Sequence, residues 1–517
     1  MPDHSTAAAR LDDLHWDDTP LWDQFVRLLE QAPDRTALID CEGREWSRRE
    51  LADLADSLFE KIAPHAIAGS RVLMMGAKCP AAIAGALAIS RAGAIVCPFS
   101  TRLSEAEVSV LEQRINHSLR IDFPTPEVAS LTPATPAGPA DPRDAQTVLI
   151  GFTSGTTGVP KGVMHSATAL NYATRCCAAI SDAGHGEAIL GIVPLDSAPG
   201  FTFTVHFSLS LGYPLVLIDR WDPVDAMRLA TKYKCAWTIG VPTHLISLVE
   251  AAREGRWTGT CGLRTMAVGG SAMTADLIRD ADELLGLKAL RMYGMSECMG
   301  HCSVHPDHDF DQRTSFDGLS FPGTQDIAFD AEGRALAAGE RGQAGVKGPS
   351  LFLGYAHGMG HGQEAYTPDG HFLTGDEIVV NEEGFVRVVG RIKDQIIRGG
   401  FNIDPAEIEE AVLRHPDIGT AAVVPVPHPR LGEQACAIVT VHPGKTAPDL
   451  PALLTHLEAV GLNKKKWPEY LLAVDALLQT ANGKTDKKTL ARLASEHFGP
   501  EGEGDERPAQ SMDMAQS

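Results

Sequence analysis

The chain has 517 residues, too many for one hydrophobic core, with 44% hydrophobic and 22% charged residues as in ordinary globular proteins. Lys and Arg number 45 against 67 Asp and Glu, and the net charge of −22 repels nucleic acid overall. Ten cysteines without a paired spacing favour a reducing, cytoplasmic setting over a disulfide framework.

In chain order, the N-terminal MPDHSTAAARLDD has no basic region followed by an apolar run, so no signal peptide is read there. RVLMMG, an alanine-rich stretch from Pro80, and AIVCPF form a strand–helix–strand pattern that implies a parallel sheet covered by helices. Arg91 and Gly93 interrupt this apolar tract, which reads as a buried helix and strand rather than a membrane span. Residues 124–143 are rich in Pro and Ala and are expected to form a surface loop.

FTSGTTGVPKGVMHS, residues 152–166, stands between the strand TVLIG and an expected amphipathic helix. Glycine permits close backbone approach and the hydroxyls can donate to phosphate. The pattern G-x-x-x-x-G-K-[ST] does not fit, because Val159 and Pro160 separate Gly158 from Lys161. A different nucleotide loop and a flexible linker both satisfy these residues.

Alternating strands and helices return through LGIVPL, YPLVLID, DPVDAMRLATKY, AWTIGVP, THLISLVEAARE and LRTMAVGG. From about residue 325, short strands with Gly turns suggest a β-rich subdomain. After Gly390 a small α+β domain is expected, with a helix opened by Pro405. Lys464, Lys465 and Lys466 are a basic patch able to attract an anionic small molecule. The tail 501–517 is polar and acidic and is expected to be disordered.

Three further stretches accompany the opening loop: RMYGMSECMG at 291–300, TGDEIVVNEEGFVRVVGRIKDQIIRGGFNIDPAEIEEAV at 374–412, and TANGKTDKKTL at 480–490. In this order the four resemble the AMP-forming acyl-CoA synthetases, within the superfamily of adenylate-forming enzymes. The resemblance spans nearly the whole chain. It implies an α/β fold with a large N-terminal domain of layered sheets, residues 1–390, and a small mobile α+β domain, residues 391–500. It also implies ATP, Mg²⁺, coenzyme A and a small carboxylic acid as reactants, with no nucleic acid and no membrane span.

Residue by residue, the resemblance places Thr153, Ser154, Gly155, Thr156, Thr157, Gly158 and Lys161 around the β- and γ-phosphates of ATP. Tyr293 and Gly294, beside Gly269, Gly270 and Ser271, match the segment against which adenine packs. Ser296 would reach the α-phosphate and Glu297 would bind Mg²⁺. Asp376 matches the carboxylate that accepts the ribose hydroxyls, with Arg391 beside it and Lys393 as the hinge. Lys484 would face the substrate carboxylate and α-phosphate during adenylation. Gly399, Gly400 and Phe401 belong to the stretch that meets the pantetheine arm after the small domain rotates. Lys487 and Lys488 are expected on a solvated helix face.

Two stretches depart from the family pattern. PLDSAPGFTF places Asp196 and Ser197 where many relatives carry an aromatic residue and histidine. With Gly294 and Met295 these would line the acyl pocket, roomier than usual and suited to an alicyclic, polycyclic or other apolar acid. The charge of Asp196 also admits a stand-alone amino-acid or aryl-acid adenylating enzyme that loads a carrier protein. Before Lys484, Leu478 and Gln479 stand where relatives usually show Pro and a basic residue, which is expected to loosen the loop and favour the thioester-forming half-reaction. Cys298, His301, Cys302, His305 and His308 match no standard zinc spacing and are read as pocket wall and loop.

Overall fold

The computed structural model describes residues 7–136, 138–153, 161–184, 186–270, 273–356, 365–442, 444–480 and 485–499. The chain divides into two compact units, one of residues 1–326, 345–372 and 383–386, the other of 327–344, 373–382 and 387–517.

The first unit contains two sheets. One runs in the order Gly318–Ser320, Cys302–Ser303, Lys288–Tyr293, Thr265–Val268, Cys235–Gly240, Ala188–Gly191, Leu215–Leu217, Thr36–Ile39 and Glu45–Ser47. From Lys288–Tyr293 to Thr36–Ile39 the neighbours are parallel, as expected where each strand is followed by a helix. The other runs Gly354–Tyr355, Lys161–Ser166, Thr147–Thr153, Ile95–Phe99, Arg71–Met75, Leu119–Thr125 and Val128–Pro133. Helix Pro80–Arg91, opened by Pro at its first position, is buried over ten of its residues, so its apolar tract is core. No helix among the described residues is long and apolar enough to cross a membrane.

One local expectation is corrected. Residues 124–143 are not all loop, because Val128–Pro133 pairs antiparallel with Leu119–Thr125, joined across Pro126 and Glu127. Proline is tolerated there because it sits at the turn and at the strand's end. The helix expected after residue 166 forms at Ala167–Ile180, and before it Lys161–Ser166 is a strand paired with Thr147–Thr153, in register Thr153↔Lys161. The β-branched and apolar residues of KGVMHS suit a pleated strand.

Arg71, 4% exposed at its side chain, donates to Asp144 Oδ1 through Nε and Nη2 at 3.1 and 2.9 Å. Asp141, in the same turn, holds Arg143 at 2.6 Å, and Arg143 donates to the carbonyls of Leu353 and Tyr355 at 3.3 and 2.8 Å. The Arg143 side-chain hydrogen bonds hold the Asp141 carboxyl down to about 2. Its folded pKa is depressed, so its stabilisation is complete above the unfolded value of 3.8 and is lost as pH falls towards about 2. Asp141→Asn is therefore expected to flatten the stability profile across that window, read from urea midpoints at successive pH values; an unchanged acid limb would contradict the assignment.

In the second unit, parts of strands Gln325–Phe329, Arg341–Lys347, Phe372–Val380 and Phe385–Arg391 lie side by side in that order. A further sheet runs Phe401–Ile403, Ile396–Arg398, Gly432–Val441, Ile418–His428, with Tyr470–Ala473 also paired to Gly432–Val441. Strand alternation sends Val423 and Val439 to helices Pro405–Leu413 and Leu450–Ala459, and Val424 and Ile438 to helix Lys487–Phe498.

Candidate active site

Within the first unit the strand after the glycine-rich loop, the segment after Lys288–Tyr293 and the edge strand Gly354–Tyr355 converge. Lys161 Nζ lies 5.1 Å from the centre of the Tyr355 ring, a cation–π contact. The Tyr355 hydroxyl donates to Glu297 Oε1 at 2.7 Å. Burial, then the facing carboxylate, pushes the phenol pKa up, so Tyr355 stays protonated and acts as the donor. The Glu297 carbonyl accepts from Phe352 N–H at 2.8 Å, and Cys298 bridges Leu351. Glu297 is thus fixed at both backbone and carboxylate, and Tyr355 links it to Lys161.

The carboxylate suits a hard cation, since one oxygen is oriented by the phenol and such sites use one or two carboxylates plus phosphate oxygens. Tyr293 ends strand Lys288–Tyr293, and Gly269 N–H donates to the Gly240 carbonyl at 3.1 Å at the end of the neighbouring strand. Both lie at the carboxyl ends of parallel strands, where ligands bind in open α/β sheets. Met295 packs with Val163 and Phe352. Ser154, Gly155, Thr156, Thr157, Gly158 and Ser271 lie outside the described residues, as does Lys484.

Asp196 sits against Gly76, where any added Cβ would come within 2.8 Å of the Asp196 backbone. Its Oδ1 is buried with no hydrogen-bond partner among the described residues. Ser197 accepts from Gly200 N–H at 3.1 Å and so caps the turn Ala198–Gly200, which leads into the π-helical segment Phe201–His206. Nearby Lys78 donates to the carbonyls of Gly191, Ile192 and Ile218 at 3.3, 2.9 and 3.1 Å. Burial pulls its pKa down to about 8, partly offset by neighbouring negative groups that include Asp196.

In the second unit Asp376 is 3% exposed and accepts from Arg391 Nε at 2.8 Å, across adjacent strands. Lys393 lies in the exposed 3₁₀ turn Ile392–Asp394 that follows. Gly399 and Gly400 both have positive φ, +59° and +83°, and form the two-residue turn between paired Arg398 and Phe401. Such a hairpin turn itself demands glycine, a backbone reason independent of any ligand. Phe401 is 40% exposed.

Several charged and thiol groups find other partners than expected. Lys488 is exposed as expected, while half-buried Lys487 pairs with Glu409 at 2.7 Å; burial of Glu409 raises its pKa and Lys487 opposes the rise. Lys464 pairs with Glu458, and Lys466 with Glu407, which largely neutralises the basic patch. His301 meets Asp326, Cys298 meets Ser350, and His308 accepts from His305 N–H. No group of three or more His, Cys, Asp or Glu among the described residues could hold a metal. All ten cysteines are free.

Tyr355, Arg143 and Lys78 had no signal in the sequence, because each acts through a partner remote in the chain. On the Mg²⁺-binding role that the resemblance implies for Glu297, Tyr355→Phe is expected to raise the Mg²⁺ concentration needed for half-maximal adenylation about tenfold, with the fold intact. An unchanged Mg²⁺ titration would remove the phenol from the site.

Residues 25–356 match the AMP-binding enzyme family, and residues 407–484 match the AMP-binding enzyme C-terminal domain. The chain is 29% identical over 341 residues to the medium-chain fatty-acid–CoA ligase of Escherichia coli, covering 66% of this chain and 60% of that protein. It is 31% identical over 344 residues to a Streptomyces salicylyl-CoA synthase / salicylate adenylyltransferase, covering 65% and 61%. The chain thus spans about 60% of the length of these relatives. The fold is that of ATP-bound MatB from Rhodopseudomonas palustris, at a TM-score of 0.80 and 24% identity, covering 93% of this chain and 100% of that one.

Proposed function

The chain belongs to the AMP-binding enzyme family, and on that premise we propose that it is an ATP- and Mg²⁺-dependent carboxylic acid:CoA ligase working through an acyl-adenylate. The observation that carries the reading is the Lys161–Tyr355–Glu297 contact, which joins the exit of the glycine-rich loop to a carboxylate suited to Mg²⁺. Bound there, Mg²⁺ would neutralise charge on the phosphate oxygens. The acid's carboxylate attacks the α-phosphorus, pyrophosphate leaves, and Lys484 stabilises the charge that accumulates. Residues 391–500 then turn about Lys393, withdrawing Lys484 and presenting Gly399, Gly400 and Phe401 to the thiol arm of coenzyme A. The thiol attacks the acyl carbon and AMP leaves with the bridging oxygen. Scattered free cysteines favour a cytoplasmic setting.

For the acid we favour a bulky, apolar, ring-containing class, because Asp196 and Ser197 stand where many relatives carry a bulkier aromatic residue and histidine, and the Ser197 hydroxyl is already used as a cap. A second reading has its own support. The buried, unpartnered Asp196 Oδ1 would suit an amino-acid or aryl-acid substrate bearing a donor group, with a carrier protein as acceptor. Asp196→Asn separates the two. On the first reading acid preference shifts modestly; on the second, amine-bearing acids lose about 3–5 kcal/mol of transition-state binding. Wild type and variant are to be compared on ring acids and amino acids, with coenzyme A present or absent, by mass detection of acyl-AMP and acyl-CoA. A large, amine-specific loss sinks the CoA-ligase reading of the pocket.

A further inference from the structure

The segment from Tyr293 to Glu297 is followed by His301, whose side chain, like that of Asp326, is 0% exposed. His301 Nδ1 is 3.1 Å from the Cys298 carbonyl oxygen, and Nε2 is 3.0 Å from Asp326 Oδ1. Asp326 Oδ2 accepts from the Ser320 hydroxyl at 2.6 Å. Main-chain bonds add to these: His301 N–H donates to the Tyr293 carbonyl at 3.3 Å, and the His301 carbonyl accepts from Phe321 N–H at 2.8 Å. The Tyr293 and His301 rings meet nearly edge to face, 4.8 Å between centroids at 64°.

A carbonyl oxygen only accepts, so Nδ1 carries a proton. Asp326 Oδ2 already accepts from Ser320, and Oδ1 faces Nε2 at 3.0 Å as a second acceptor, so Nε2 also carries one. We propose that His301 is a buried imidazolium paired with the Asp326 carboxylate, and that this pair positions the ring of Tyr293 and the turn bearing Glu297 for the nucleotide. The positioning role rests on the ATP-dependent reading above. Both His301 and Asp326 belong to the first unit, and neither carries a role in the mechanism as described.

Burial opposes the imidazolium, while Cys298 and Asp326 favour it, and the balance leaves its pKa well above the ordinary value. Facing the pair are Cys298 and Tyr293 on the His301 side, with Cys302 and His371 near Asp326. A buried ion pair seldom stabilises a fold more than well-packed apolar residues would, whereas removing one partner leaves an uncompensated charge. Its effect is therefore expected in the geometry of the adjoining nucleotide segment rather than in net stability. His301 acts through Tyr293 and is a positioning residue.

The test begins with wild-type full chain labelled with ¹⁵N-histidine, the His301 signal being assigned by its loss in His301→Gln. Both ring nitrogens are expected to stay protonated at pH values where an ordinary histidine has become neutral. Equilibrium binding of a non-hydrolysable ATP analogue is then compared in Asp326→Asn and Asp326→Glu. About tenfold weaker binding is expected in Asp326→Asn, with partial recovery in Asp326→Glu and an unchanged KM for the acid. If Asp326→Asn does not fold, the double variant His301→Leu with Asp326→Leu takes its place, leaves no lone charge, and must show the same loss. An unprotonated Nε2 in the wild type, or wild-type analogue binding in a folded Asp326→Asn, overturns the proposal. Failure of the wild type to bind the analogue sinks the ligase reading and the positioning role together; a neutral ring with normal analogue binding sinks the pair alone.

Discussion

Lys484→Ala is expected to slow adenylation by about 10²–10³-fold while sparing thioester formation from supplied acyl-adenylate. The asymmetry follows from the proposed rotation, which withdraws Lys484 before the thiol attacks. The residues that flank positions 481–484 are tied to one another. Gln479 bridges Thr485, Asp486 N–H donates to the Leu478 carbonyl at 2.8 Å, and Leu478 packs on the core that includes Val424 and Leu490. Leu478 and Gln479, expected to loosen this loop, are themselves paired and packed, while residues 481–484 lie outside the described residues. Rates of pyrophosphate release and of acyl-CoA formation from acyl-AMP give the comparison. Equal loss in both half-reactions would contradict the rotation. Failure of the wild type to adenylate would direct attention to Leu478, with Leu478→Pro as the next variant.

Glu297→Gln is expected to raise the Mg²⁺ requirement of the first half-reaction on the order of 100-fold, more than Tyr355→Phe, because it replaces the metal-facing carboxylate itself. The amide keeps nearly the same volume and can still accept from Tyr355, so thermal stability should change little. A neutral oxygen is a poor ligand for a small, hard cation. Mg²⁺ titrations of pyrophosphate release decide it: coincident curves for wild type and variant would remove Glu297 from the metal site. Such curves would also strip the Tyr355 contact of its proposed meaning.

The regular elements were legible where periodicity is strong. RVLMM, the helix from Pro80 and the helix from Pro405 all form where the pattern and the leading proline indicate. The failures have local causes. In residues 124–143 a high Pro and Ala content masked the short alternating run VASLTP, which pairs only because Leu119–Thr125 lies beside it. After the glycine-rich loop, a six-residue strand was hidden by the helix that follows immediately. Candidate residues could be named from their motifs, but the partners they meet could not. Tyr355 meets Glu297 across 58 residues, Arg143 meets the Tyr355 carbonyl across 212, and His301 meets Asp326 across 25. Such pairings come from sheet order, which no local spacing encodes.

The central claim is that the acid's own oxygen becomes bonded to AMP. Once the acid panel identifies a substrate, that acid is prepared with oxygen-18 in its carboxylate and incubated with ATP, Mg²⁺ and coenzyme A. Mass spectra are then taken of the nucleotide and the thioester. Attack on the α-phosphorus, followed by thiol attack on the acyl carbon, predicts acyl-CoA together with AMP carrying one oxygen-18. Acyl-CoA accompanied by unlabelled AMP, or by ADP and labelled phosphate, would contradict it.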